Sequence, residues 1–358
     1  MFPLLLNKLF SALWQASPPA RALATRTLGF PLAGKRINLA LQGGGAHGAF
    51  TWGVLHQLLA DSRVVIDGVS GTSAGAVNAV MLADGLARGG RAEAQQRLAD
   101  FWRAASFGGN LPDVQRAVVE RLFSLVPHRG SSMPWLGALS GFLSPYDLNP
   151  LNINPLKDLI GRFVDFELIR GGERPLFVSA TNVHTGEPRV FARHEITAEV
   201  VMASACLPLL FRAVEIDGEP YWDGGYSGNP SILPFLGAAT ADVLIVQINP
   251  IERRKAPTTT RAIMTRINEI TFNAPLLAEL RAIELARADG PLRLHRIVMD
   301  DLGEAADARG RLNTDFEYFE MLHKRGQRAA RRFLDAHLDD IGRRSTIDLV
   351  ARERAQVA

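Results

Sequence analysis

Gly71-Thr72-Ser73-Ala74-Gly75 is a G-x-S-x-G pentapeptide that follows the apolar run Val64-Val65-Ile66 and opens a small-residue stretch, Ser73 to Ala87. Strand, turn and helix in that order are the setting in which a serine can be pushed out as a nucleophile. The turn is so tight that the flanking positions, Gly71 and Gly75, must lack side chains. The helix N-terminus behind the hydroxyl favours the negative charge that develops on attack. About 30 residues earlier lies Gly43-Gly44-Gly45-Ala46-His47-Gly48, after the strand-like Ile37 to Gln42 and before the helical Ala49 to Ala60. Without Cβ atoms, such a loop lets backbone N–H groups crowd against an anion. The anion is either the oxyanion of a tetrahedral intermediate, held by Gly43, Gly44 and Gly45, or a pyrophosphate. The loop also fits G-x-G-x-x-G, closing at Gly48, and Asp67 stands at the end of the next apparent strand, where a ribose-binding acid belongs. A dinucleotide-binding oxidoreductase is therefore the alternative from another class.

A serine nucleophile needs a base. Tyr221-Trp222-Asp223-Gly224-Gly225-Tyr226 ends a strand-like stretch on an acid and two glycines, which on pattern alone also describes a hairpin turn. Asp223 can take the serine proton itself. It can instead orient a histidine, since His295, His323 and His337 all follow it in the chain order Ser, Asp, His. None of the three has turn chemistry around it: His295 falls in a strand pattern and the others on an Arg-rich helix. A triad esterase nevertheless stands beside the dyad.

The elements that must position these residues read as α/β. Strands are expected at Leu176 to Thr181, Arg189 to Arg193, Val243 to Ile248 and Leu294 to Met299. Helices are expected around Glu93 to Ala104, Val114 to Leu125, Thr197 to Ala205, Pro257 to Ala286 and Phe316 to His337. The chain has 358 residues, 47% of them hydrophobic and 22% charged, which suits a folded protein and excludes a largely disordered one. A net charge of +3 gives no case for nucleic acid, and a lone cysteine, Cys206, can form neither an internal disulfide nor a Cys-based metal site. No metal or cofactor is implied.

Charge is unevenly spread. Lys8, Arg21, Arg26, Lys35 and Arg36 all precede the first carboxylate, Asp61. Met1 to Trp14 is apolar at helical spacing but too short to span a bilayer, which takes about 20 residues. It reads as an interfacial anchor, a helix packed on the protein's own core, or a cleaved leader. We therefore expect an amphipathic extension over 1–35, one domain over 36–358 with a C-terminal helical tail, and a cytoplasmic protein attached peripherally to a membrane through its N-terminal segment. Ser131 to Tyr146 is uncharged and rich in Trp, Leu, Phe, Gly and Ser. It is either an apolar flap over a lipid site or a loop packed on the body. Nothing in the sequence sets an oligomeric state.

Together these residues resemble the patatin-like phospholipases. Gly43 to Gly48 looks like that family's oxyanion block, Gly71 to Gly75 like its nucleophile elbow, and Asp223-Gly224-Gly225 like its Asp-Gly-Gly block. Ala203-Ser204-Ala205-Cys206-Leu207-Pro208 with Phe211 is similar to the block that supports the core between them. Many members carry arginine where this chain has His47. The likeness runs from about Arg36 to Pro250, and Leu312 to Leu349 is similar to the tail of bacterial members. It implies a three-layer α/β/α fold around a central, mostly parallel sheet, and a Ser73–Asp223 dyad. It also implies calcium-independent cleavage of fatty acyl esters of lipids, of the phospholipase A or lysophospholipase type, by a carboxylic ester hydrolase. The expected partner is a lipid or membrane-surface substrate.

Overall fold

In the computed structural model the described residues are 34–106, 144–149, 152–253, 255–285, 292–300 and 314–347. The expected N-terminal extension, the helix at 114–125 and most of the expected flap lie outside them. The strands are β1 (Lys35–Leu41), β2 (Val64–Thr72), β3 (Leu176–Asn182), β4 (Pro188–Ala192), β5 (Val214–Ile216), β6 (Glu219–Asp223), β7 (Asp242–Gln247) and β8 (Arg293–Val298). Seven of them lie in the order β5-β6-β3-β2-β1-β7-β8, and β4 pairs with β3. β1 is parallel to β2 and β7, β2 to β3, and β7 to β8; β4, β5 and β6 pair antiparallel. The chain thus winds outward in both directions from β1.

Alternation along the strands sorts side chains to two faces. Leu39 and Leu41 of β1, with Leu244 and Val246 of β7, enter the larger core. Helices α1 (Gly48–Ala60), α2 (Ala74–Ala104) and, near the end of the chain, α8 (Phe316–His337) cover that face. Ala40, Val243 and Ile245 point the other way, onto Leu276, Leu280 and Ile283 of helix α7 (Thr260–Leu285) and onto Phe235. Two helical layers therefore enclose one sheet, as expected. The remaining helices are short: α3 (Pro145–Leu148), α4 (Pro155–Phe163), α5 (Phe166–Gly171) and α6 (Ala198–Ser204).

Two boundaries differ from those expected. The second strand does not stop near Ile66 but runs on to Thr72, because its polar residues are satisfied where they stand: Asp67 receives Arg36 Nε at 2.8 Å and the Thr240 hydroxyl. The helix after Ser73 continues to Ala104 across a kink at Gly90, whose φ of 76° a glycine adopts without strain. Pro275 lies within α7 without ending it.

α1 is buried along nearly its whole length, so it needs a cover on its outer side. α8 supplies it with Tyr318, Phe319, Leu322, Gly326, Ala329, Ala330 and Phe333, a stripe at helical spacing, while Arg328, Arg331 and Arg332 stay exposed. The two helices touch backbone to backbone: a Cβ on Gly326 would stand 2.1 Å from the Phe50 carbonyl oxygen, and one on Gly53 would stand 2.0 Å from that of His323. Gly326→Ala should therefore cost more than about 2 kcal/mol through overpacking. Gly161→Ala, in the exposed middle of α4 with open space around it, should gain up to about 1 kcal/mol. Urea denaturation of the two variants measures both, and an undisturbed Gly326→Ala would show that the helices can move apart freely.

Candidate active site

Register alone brings the glycine loop and the elbow together. Leu41 of β1 pairs with Gly71 of β2, so two residues further on Gly43 and Ser73 leave the sheet side by side. They are so close that a Cβ on Gly43 would lie 2.6 Å from the Ser73 Cβ. Gly75, in the first turn of α2, sits on the end of β1, where a Cβ would lie 2.1 Å from the Leu41 carbonyl oxygen. Ser73 itself holds φ 54° and ψ −123°, a positive-φ conformation that a non-glycine residue keeps only under constraint.

Asp223 arrives from the other direction. β3 offers one edge to β4 and the opposite edge to β2, whose last residue, Thr72, pairs with Ser179. On that same edge the next residue, Ala180, pairs with Asp223, the last residue of β6. β2 and β6 therefore run toward each other in line and meet end to end. The Ser73 hydroxyl donates to Asp223 Oδ2 at 2.7 Å, with Asp223 fully buried and Ser73 7% exposed. The other carboxylate oxygen, Oδ1, accepts the Gly225 N–H at 2.7 Å, and the Asp223 N–H donates to the Cys206 carbonyl at 2.8 Å. Gly224 lies against the β3 backbone at Ser179 and Gly225 against the Phe272 ring; Gly48 rests between Ala74 and Trp102.

The three loop glycines are not equivalent. The Gly43 N–H donates to Asn229 Oδ1 at 2.7 Å, so it is occupied, and the Gly43 carbonyl accepts from Asn249 Nδ2 at 2.8 Å. A tight 3₁₀ turn at Gly45–His47 uses the carbonyls of Gly44 and Gly45. The N–H groups of Gly44 and Gly45 have no acceptor among the described residues, as befits the open start of a helical segment. His47, the last residue of this turn, is buried.

Residues with no sequence signal hold the loop in place. Gln42 Nε2 donates to Asn273 Oδ1 at 2.9 Å, and Gln42 Oε1 accepts the N–H groups of Ile248 and Asn249 at 2.9 and 2.8 Å. Asn229 Nδ2 reaches the Phe272 carbonyl at 3.1 Å. Ser204 of α6 does the same for the elbow: its hydroxyl accepts the Ser73 N–H at 2.9 Å and donates to the Ser179 carbonyl at 2.6 Å.

Neither alternative site forms. Asp67 lies in mid-strand, bound to Arg36 and Thr240, and not at a strand end facing the glycine loop. His295 is fully buried between Asp242 Oδ1, at 3.0 Å, and the Thr346 hydroxyl, at 3.2 Å. His323 stacks on Trp52 beside His56, its pKa lowered to about 4 mainly by burial, and His337 pairs with Asp340 at 3.0 Å. Among the described residues no cluster of His, Cys, Asp and Glu could hold a metal ion, and no helix is long and apolar enough to cross a membrane.

The sequence pattern that defines patatin-like phospholipases matches residues 39–236, more than half of the chain, from β1 past Asp223. The chain belongs to the patatin-like phospholipase family. Family membership implies lipid acyl hydrolase activity in general terms. No functionally curated protein matches the chain in sequence. Among solved structures, this patatin-like chain is similar to VipD from Legionella pneumophila (TM-score 0.39, 16% identity, covering 91% of this chain and 73% of that one). It is similar also to human GIVD cytosolic phospholipase A2 in complex with methyl gamma-linolenyl fluorophosphonate (TM-score 0.46, 12% identity, 89% and 60%). A third is ExoU of the Pseudomonas aeruginosa type III secretion system, in its heterodimer with SpcU (TM-score 0.34, 16% identity, 86% and 52%). The chain thus spans only about half of ExoU and three fifths of the human enzyme.

Cys206 is the nearest competing nucleophile type, and its surroundings disarm it. Burial, and then the Asp223 carboxylate, push its thiol pKa up to about 12, while Sγ donates to the Arg212 carbonyl. The native protein at pH 8 should therefore leave Ellman's reagent unreacted, with one thiol appearing on denaturation. Fast labelling of the folded protein would show that the thiol is neither buried nor protonated as described.

Proposed function

We propose that this patatin-like protein is a serine acyl hydrolase that cleaves fatty acyl esters of lipids, of the phospholipase A or lysophospholipase type, with Ser73 as nucleophile and Asp223 as its base. The observation that carries the reading is the 2.7 Å hydrogen bond from the Ser73 hydroxyl to a buried Asp223 oxygen, at a residue held in a strained elbow. Asp223 takes the Ser73 proton as Oγ attacks the ester carbonyl. The N–H groups of Gly44 and Gly45 stabilise the oxyanion, while Gly43, already bonded to Asn229, shapes the turn. The intermediate collapses, and the alcohol leaves with the proton that Asp223 held. Asp223 then deprotonates a water molecule, which attacks the acyl-serine; the fatty acid leaves as Asp223 returns that proton to Ser73 Oγ. The Gly225 N–H keeps the carboxylate aimed through both halves of the cycle.

A fluorophosphonate should label Ser73 and leave Ser70 and Ser204 unmodified, as read by peptide mapping. On a soluble short-chain ester, Ser73→Ala and Asp223→Asn should each lower kcat/KM by about 10⁴-fold or more, because residues acting as a unit fail together. Alanine at His295, His323 or His337 should leave most activity in variants whose thermal melts show them folded. A loss of about 10³-fold at one folded histidine variant would make that histidine the base and Asp223 its orienting partner.

A further inference from the structure

α7 has two faces of opposite use. Glu269, Phe272, Asn273, Leu276, Leu280 and Ile283 are buried, and they include the residues that brace the glycine loop and Gly225. On the outer side, Ile263, Met264, Ile267 and Ile270 are 41%, 52%, 49% and 55% exposed. At 100° per residue, the three isoleucines fall within an arc of roughly 60° and make a stripe over the first turns of the helix. Further along the same face come Ala274, Ala278 and Arg281, all exposed. Large exposed apolar side chains are therefore confined to the N-terminal half, apart from Leu285 at the helix end.

That half lies at the end of the sheet where Ser73 stands, beyond the C-terminal ends of its parallel strands. α7 follows the C-terminal end of β7, which is parallel to β1 and β2, whose C-terminal ends carry the glycine loop and Ser73. Tyr226, three residues past Asp223 and 38% exposed, leans its ring on Phe272 of α7 at 5.3 Å between centroids. The approach to the helix, residues 251–261, is basic in sequence, with Arg253, Arg254, Lys255 and Arg261 against Glu252; Lys255 is exposed, and Arg253 and Arg266 both pair with Glu269.

We propose that the first three turns of α7, with Ile263, Met264, Ile267 and Ile270 outward, form a docking face for an anionic lipid bilayer that holds the Ser73 end of the sheet against the lipid. Four side chains about half exposed present on the order of a few hundred Å², the size of a functional patch on a monomer but short of the ~800 Å² per partner of a stable protein interface. The stripe is convex and aliphatic, without the aromatic anchors that mark protein partners. A bilayer asks for no shape complementarity, only an apolar face with cations beside it. What the docking serves rests on the hydrolase reading; the docking itself is measured without it.

Full-length protein carrying Ser73→Ala is sedimented with vesicles of phosphatidylcholine and phosphatidylglycerol at 4:1, at low and high salt. Adding Ile267→Glu and Ile270→Glu should weaken binding at least tenfold. Ile267→Leu with Ile270→Leu should restore it, and Lys255→Glu should weaken it at low salt only. With Ser73 intact, the double Glu variant should lose rate on vesicular phospholipid and keep it on a soluble short-chain ester. Ile267→Ser with Ile270→Ser serves as the second variant should the Glu pair impair folding. Equal vesicle binding by parent and both folded double variants overturns the proposal. So does binding that disappears only when residues 1–33 are deleted, or a parent dimer that the variants dissociate without change in vesicle binding. Lost binding in a protein that hydrolyses no ester at all leaves the docking face standing and sinks the hydrolase reading.

Discussion

The site depends on two strands sharing one edge of a third. β3 can accept only one neighbour at each point of its edge, so the pairing of Thr72 with Ser179 and of Asp223 with Ala180 forces the ends of β2 and β6 against each other. A serine just beyond one strand end and an aspartate at the other are then in hydrogen-bond reach without any loop having to find the right shape. The main-chain ladder that fixes this juncture lies among the most buried residues of the protein, and the Thr181 hydroxyl adds a 2.8 Å bond to the Asp223 carbonyl. Sites built on strands are held more closely than sites built on loops, and here even Asp223 is a strand residue.

The same economy sets the glycine loop beside the serine. β1 is the switch point from which the chain winds to either side, and in open α/β sheets the crevice outside such a point is where ligands bind. Because β1 and β2 are parallel and paired at Leu41 and Gly71, both chains leave the sheet at the same level. The loop still has to present its N–H groups outward in place of folding back on them. Asn229 and Asn249 take up the N–H and the carbonyl of Gly43, and the carbonyls of Gly44 and Gly45 go into the 3₁₀ turn. What is left over is the N–H donors of Gly44 and Gly45, without an acceptor among the described residues.

Much of this was legible in the sequence because the chemistry needs residue types that glycine spacing exposes. Ser73, Asp223 and the Gly43 loop each stand beside backbone contacts too close for a side chain, and such positions leave a mark in one chain. The helix Phe316–His337 was expected with the bounds it has, and the structure adds an Asp315 cap and a buried apolar stripe that agree with them. Strand β2 was not. Asp67, Gly68 and Ser70 break its apolar run, and only the fold shows that Arg36 and Thr240 stand ready to satisfy Asp67. Gln42, Asn229, Asn249 and Asn273 were invisible for a related reason: a buried amide is defined by what it reaches, and their partners are up to 231 residues away in the chain. The short strands β5 and β6 pair by a hairpin whose weight in the site comes from β3, not from its own pattern.

The division of labour along α7 follows from these constraints. A helix that braces the loop through Phe272 and Asn273 must keep its inner face rigid, and Glu279 helps to do so. Its buried carboxylate accepts the Ser231 hydroxyl at 2.9 Å and the Leu233 N–H at 3.2 Å, fastening the segment that follows Asn229. Burial raises the pKa of Glu279, and the hydrogen bonds from the loop oppose that rise only in part. The cost of burying this carboxyl is accepted on the side that faces the sheet. The outer side has no such duty, which frees it to carry isoleucine where a helix exposed only to water would carry charge. The hydrolase proposed above, drawing its substrate from a lipid layer, needs both properties in one element. α7 joins them through a single turn of helix, from Ile270 outside to Phe272 and Asn273 within.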